Sequence, residues 1–214
     1  FRSAEHAAGA RMPLVPGRFT LVHSGIVYPE ERDPTQLFAA LALLGQRTPA
    51  VAARLVVRFR AAVHDELLLA LARRHGVETM VELAPAVGYR DALAEMLRAD
   101  ALLVLQASNC NEQVPAKIYE YLRAGRPVVC LADPRGDTCA VLGRAGIERN
   151  APLDDAPAIA ALLERVATGA DDGLRPSAAA VAAAARAART RELAALLDRC
   201  TAASAAALPA GIAA

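Results

Sequence analysis

The sequence predicts an α/β fold, a doubly wound parallel sheet with helices on both faces. Short apolar runs alternate along the chain with longer stretches of helical periodicity. The clearest runs, ALLVLQ at Ala101 to Gln106 and VVCLA at Val128 to Ala132, are apolar except for the closing Gln106, as in strands covered on both sides. Polar residues, Gly or Pro follow each run before the next helical stretch, giving strand, loop, helix, loop and strand in turn.

Residues 1–18 hold Pro13, Pro16 and Gly17 and read as an irregular lead-in; a start at Phe1 without methionine points to part of a longer protein. RFTLVHS, Arg18 to Ser24, is the first strand, and Gly25 at its end lets a backbone approach a phosphate. Asp33 and Pro34 form the N-cap and first turn of a helix ending near Arg47, with Leu37, Leu41 and Leu44 as its stripe. Arg54 to Phe59 is the second strand, where Arg58 and Arg60 read either as a solvated strand edge or as one side chain at the cleft mouth. A helix from His64 to Arg74 turns Leu67, Leu68 and Leu71 inward, and Thr79 to Leu83 is the third strand. Tyr89, ahead of a short helix at Asp91 to Arg98, reads as a core cap or as a ring for stacking a base.

Asp100 to Gln106 and Pro127 to Ala132 are the fourth and fifth strands. Asp133 to Thr138 is a turn-forming loop leading into a helix through Leu142, with Gly136, Asp137 and Thr138 either on a cleft edge or serving the turn alone. Ile147 to Arg149 is a last short strand, and a helix at Asp155 to Val166 buries Ile159, Leu162 and Leu163. The main domain therefore spans 19–168. Residues 169–200 are a linker, Gly169 to Pro176, and one alanine-rich helix, Ser177 to Cys200; residues 201–214 are expected to be a disordered tail.

Composition removes several function classes. A net charge of +1 and an aromatic content of 4% supply neither the basic stripe nor the stacking rings of a nucleic-acid binder. Neither a membrane span nor a signal peptide is visible. Cys110, Cys130, Cys139 and Cys200 lack metal-ligand spacing, as do His6, His23, His64 and His75, so no metal is expected and a reducing, cytoplasmic setting fits.

The stretch CNEQVPAKIYEYLRAGRPVV, Cys110 to Val129, organises the rest. Pro115 suits a first helical turn, and Ala124-Gly125 a stop. At 100° per residue Lys117, Glu120 and Tyr121 share one side, expected to serve a ligand, while Ile118, Tyr119 and Leu122 turn the other way to pack. Backbone N–H groups from Gln113 through Val114 to Lys117 suit a phosphate, and the flanking acids Glu112 and Glu120 suit sugar hydroxyls. The alternative is an ordinary i,i+3 surface pair and a solvated loop acid. Lys117 is the single lysine among 24 basic Lys and Arg residues, and a compact ammonium in an arginine-using chain favours an anion-binding role.

Two acids with seven residues between them, followed by Gly125-Arg126-Pro127-Val128-Val129, resemble the donor-binding motif of retaining glycosyltransferases of the GT-B fold, in particular family four. The usual form is EGFGLVxLEAMAxGxPVV; QVPAKIY here departs between the acids and resembles a subgroup with PAKxYEYL in that place. The resemblance implies the C-terminal, Rossmann-like half of a two-domain enzyme, with a missing N-terminal domain supplying a glycan, lipid or small-molecule acceptor. It implies a nucleotide-diphosphate sugar as donor, no metal or other cofactor, and no transmembrane segment, with the protein free in the cytoplasm or peripheral at the inner membrane face. Glu112 would meet the transferred sugar, Glu120 the ribose, Val87 the nucleobase, and Gly25, Arg32, Lys117 and the backbone at Gln113 and Val114 the diphosphate. Ile26 stands where an arginine usually follows the glycine, and Arg32 lies near the usual lysine position. An isolated half is expected to bind donor yet transfer poorly. The rival readings are a sugar-nucleotide epimerase on the same plan and a non-catalytic binding or interaction module; no Gly-rich dinucleotide fingerprint follows the first strand, which disfavours a dehydrogenase.

Overall fold

The computed structural model describes residues 12–206. Six parallel strands form one sheet in the order β3-β2-β1-β4-β5-β6: β1 (Phe19–Ser24), β2 (Leu55–Arg60), β3 (Val81–Ala84), β4 (Ala101–Gln106), β5 (Val128–Ala132) and β6 (Asn150–Ala151). This is the doubly wound, Rossmann-like arrangement, and the chain reverses its direction of winding between β1 and β4. Consecutive residues on a strand face opposite ways, so Leu21, Leu103 and Leu105 enter one core while Val22, Leu102 and Val104 enter the other.

Helices α1 (Thr35–Arg47), α2 (Pro49–Ala52), α3 (Asp65–His75), and α7 (Ala156–Ala167) lie with the first core. Helices α4 (Tyr89–Arg98), α5 (Lys117–Ala124) and α6 (Asp137–Arg144) close the second. Leu37, Leu41 and Leu44 of α1 and Ile159, Leu162 and Leu163 of α7 are buried as their spacing requires, and Leu68 and Leu71 of α3 join them while Leu67 is half-buried. The acid ahead of α1 acts one position earlier than a cap: Asp33 accepts from the Thr35 N–H and hydroxyl at 2.9 and 2.6 Å.

Several elements differ from expectation. Thr79 and Met80 lie in a 3₁₀ turn (Glu78–Met80), so β3 starts later, and the last strand is Asn150–Ala151 rather than Ile147 to Arg149. The stretch read as a linker is part of the fold. Leu174 is fully buried, its carbonyl accepts from Val128 N–H at 2.8 Å, and Gly173 accepts from Glu148 and Arg149 at 2.9 and 3.1 Å. The single alanine-rich helix is two, α8 (Ala178–Ala183) and α9 (Arg186–Ala206), because Ala180 and Ala184 pack on the second core whereas α9 runs along the surface. Alanine favours helix on both sides of the break and leaves no mark at it. Residues 201–206 continue α9 instead of forming a tail; residues 1–11 of the lead-in and 207–214 of the tail lie outside the described residues.

Candidate functional site

At the carboxyl edge of such a sheet the crevice at the switch point is the natural place for a ligand. The loops on either side are tied together: Ala107 N–H donates to the Glu31 carbonyl at 2.8 Å and Asn109 to the Glu30 carbonyl at 3.3 Å. Helix α5 stands over the gap. Ile118, Tyr121 and Leu122, at i, i+3 and i+4, are its buried stripe, and Gly125 in the left-handed region ends it. Tyr121 therefore packs inward, and Tyr119 is the ring left on the flank, under the Arg189 guanidinium at 4.9 Å; the expected orientation of these two tyrosines is reversed. The Tyr121 hydroxyl accepts from Ser24 N–H at 3.0 Å and so fastens α5 to the last residue of β1. Burial raises the phenol's pKa far above its usual value. Tyr121→Phe leaves that N–H unpaired, and chemical denaturation is expected to show a loss of about 1–3 kcal/mol.

One turn before Tyr121, Lys117 points the same way. Its Nζ lies 3.1 Å from Nε2 of the buried His23, and a Cβ built on Gly25, at φ +109°, would stand 3.4 Å from that Nζ. The glycine thus leaves room for the ammonium. Its own N–H is spent on the Arg60 carbonyl at 2.8 Å. Burial, then the positive charge of Arg32, brings the Lys117 pKa down to about 7, against a smaller upward pull from Glu120. Arg32 donates to the Ile26 carbonyl at 3.2 Å, lies over the Tyr28 ring at 5.0 Å, and leaves its buried Nε unpaired. Among the described residues no carboxylate forms a salt bridge with Lys117 or Arg32. Two cations with no acid between them make a place for an anion.

The structure brings Gly25, Arg32 and Lys117 together, with Glu120 one turn further along α5 and near enough to act on the Lys117 charge. Glu120 accepts from the Tyr89 hydroxyl at 2.9 Å and borders, with Tyr89, Tyr119 and residues 184–187, a cleft of about 590 Å³. Tyr89, the first residue of α4, is 56% exposed and does not cap the core; Val87, on the β3–α4 loop just before it, is exposed as well. Glu112 and Gln113 are exposed on the β4–α5 loop, and no hydrogen bond or salt bridge joins Glu112 to Lys117, Arg32 or Glu120 among the described residues. The Gln113 N–H is not free for a phosphate, since it closes a turn onto the Cys110 carbonyl at 3.0 Å. The N–H groups of Val114, Ala116 and Lys117 have no such partner among the described residues.

The α6 loop braces this segment. Thr138 donates to the Gln113 carbonyl at 2.9 Å, Asp137 N–H to the Asn111 carbonyl at 2.8 Å, and Asn111 to Asp133 at 2.8 Å. A side chain on Gly136 would come within 2.9 Å of the Asn111 amide oxygen, which gives that glycine a reason inside the fold. Arg58 and Arg60 are neither solvated nor directed to the cleft: both bind the buried Glu95, at 2.8 and 2.7 Å. His23 and Glu95 escaped sequence reasoning; the one signal was their placement, a histidine one residue before the end of a strand and an acid on the apolar stripe of α4.

Neither a protein-family model nor a curated protein matches the chain. Solved structures do. WaaG, a glycosyltransferase involved in lipopolysaccharide biosynthesis, superposes with a TM-score of 0.61 and 17% identity, over 88% of this chain and 46% of that one. An α,α-trehalose 6-phosphate synthase from Burkholderia multivorans gives 0.65 and 16%, over 99% and 47%, and a UDP-forming one from Burkholderia vietnamiensis gives 0.66 and 15%, over 94% and 46%. The chain is thus similar in fold to one half of GT-B glycosyltransferases and spans about half their length. No helix among the described residues is long and apolar enough to cross a membrane.

Proposed function

We propose that this chain is the donor-binding half of a retaining glycosyltransferase, holding a nucleotide-diphosphate sugar for transfer to an acceptor carried by a separate domain. The observation that carries the proposal is the meeting of Lys117 and Arg32 beside Gly25, with no acid paired to either, at the switch point of the sheet. The diphosphate lies against these cations and the N–H groups of Val114, Ala116 and Lys117, where neutralising the leaving group lowers the barrier to transfer. Glu120, steadied by Tyr89, takes the ribose hydroxyls, Val87 borders the base, and Glu112, with Gln113 beside it, reaches the sugar. No protein carboxylate pair is assigned to a metal, and the four unbridged thiols fit a cytoplasmic setting.

Calorimetry of the full chain with uridine, guanosine and adenosine diphosphates tests this directly. One nucleoside diphosphate is expected to bind, and more weakly at high salt as exposed charges are screened. A folded sample that binds none of the three removes the reading.

A further inference from the structure

Beneath Lys117 lies a residue to which the proposed reading gives no role. His23 is fully buried at the end of β1, with Phe59 at a ring separation of 6.0 Å, whereas α5 packs on the opposite face. The Lys117–His23 contact therefore passes over the carboxyl edge of the sheet at the crevice. Nδ1 of the imidazole lies 3.1 Å from the Leu103 carbonyl, which can only accept, so the proton belongs on Nδ1 and Nε2 is left as an acceptor for the ammonium. We propose that His23 is a positioning residue: it holds the Lys117 ammonium in the Gly25 notch, so that anion binding there depends on the imidazole as well as on the lysine. This rests on the anion-site reading above.

The groups facing the pair are few. Arg32 approaches from the β1–α1 loop, Glu120 from α5 itself, and the Leu103 and Ile26 carbonyls from the strands and loop beneath. Burial, then Lys117, hold the imidazole pKa well below its usual value, with Arg32 adding a smaller downward push against an upward pull from the two carbonyls, so the imidazole stays neutral while the lysine carries the charge. An acceptor, and not a second cation, is what an ammonium needs to remain in one orientation when its other protons are turned to a phosphate.

Inorganic pyrophosphate and uridine diphosphate are the probes, titrated by calorimetry from pH 5.5 to 9 into wild type, H23L, H23Q and K117M, each checked for cooperative melting. Wild-type affinity is expected to fall as pH rises through neutrality. H23L loses about tenfold or more at neutral pH, the scale of one charge-assisted hydrogen bond, and its fall begins at lower pH because the ammonium has lost its acceptor. H23Q, which keeps an acceptor at the Nε2 position, recovers most of that loss. H23L binding with the wild-type affinity and pH profile overturns the inference, as does H23Q failing as badly as H23L when both melt normally. If K117M binds both probes like wild type, the anion-site reading fails first. Should the variants not fold, imidazole nitrogen shifts of wild type decide: a proton on Nδ1 throughout the range supports the assignment, and one on Nε2 overturns it.

Discussion

Lys117→Met is expected to lose at least about 100-fold in affinity for a nucleoside diphosphate, because it removes a charge-assisted contact and leaves Arg32 as the nearest cation. It is also expected to make the protein more stable. The folded-state pKa of about 7 lies below the ordinary value for lysine, so the fold disfavours the charged form. That cost is full below about pH 7 and fades as the pH rises towards the unfolded value of about 10.4. Wild type should therefore gain stability across that range, and the methionine variant should lack the slope while exceeding wild type at pH 6 by about 1–2 kcal/mol. Urea melts at pH 6 and pH 9 beside calorimetry test both halves. A variant that binds normally, or keeps the slope, contradicts the assignment.

Glu95→Ala is expected to cost the fold about 3–5 kcal/mol, because it strands the Arg60 guanidinium and takes one of two acids from Arg58. Arg58 and Arg60, with side chains 12% and 13% exposed, both depend on this carboxylate, and Arg58 alone has a second acid, Glu82, at 2.9 Å. Burial by itself would raise the Glu95 pKa, but hydrogen bonds and charge from Arg60 and Arg58 outweigh it and bring the value below the ordinary one. The stabilisation is thus present above the unfolded glutamate value, about 4.3, and is lost as the pH falls through the folded one. Guanidinium melts at pH 7 should separate the variant from wild type widely, and the gap should narrow in acid below about pH 4. A cost under about 1 kcal/mol at pH 7 would place the cluster among ordinary surface pairs.

The fold was legible because its strands announce themselves. ALLVLQ and VVCLA are too short and too apolar to be anything but buried strands between helices, and Leu37, Leu41 and Leu44 fix the inward face of α1. The candidate site was legible as far as single residues with a special chemistry allow: one lysine in the chain, and one glycine after the first strand, which the fold sets side by side. What failed needed a neighbour in space. Tyr119 and Tyr121 are chemically equal, and only the three-residue step from Ile118 to Tyr121 decides which of them is buried. His23 and Lys117 are far apart in sequence and meet only because β1 and β4 adjoin at the switch point. Arg58 and Arg60 read as a solvated strand edge or as one side chain at the cleft mouth, and only Glu95, from a later helix, shows that they are neither.

The attachment of Gly173 and Leu174 to the sheet bears on how the protein can be trimmed. A cut at Thr168 would uncouple the Val128 amide from its carbonyl partner and pull a leucine plug from beneath β5, opening a wet hole under a strand next to the one that leads into the candidate site. Shortened versions for ligand studies should keep these residues and also α8 through Ala184, since Ser177 N–H donates to the Ala145 carbonyl at 2.8 Å and Ala180 and Ala184 cover the second core.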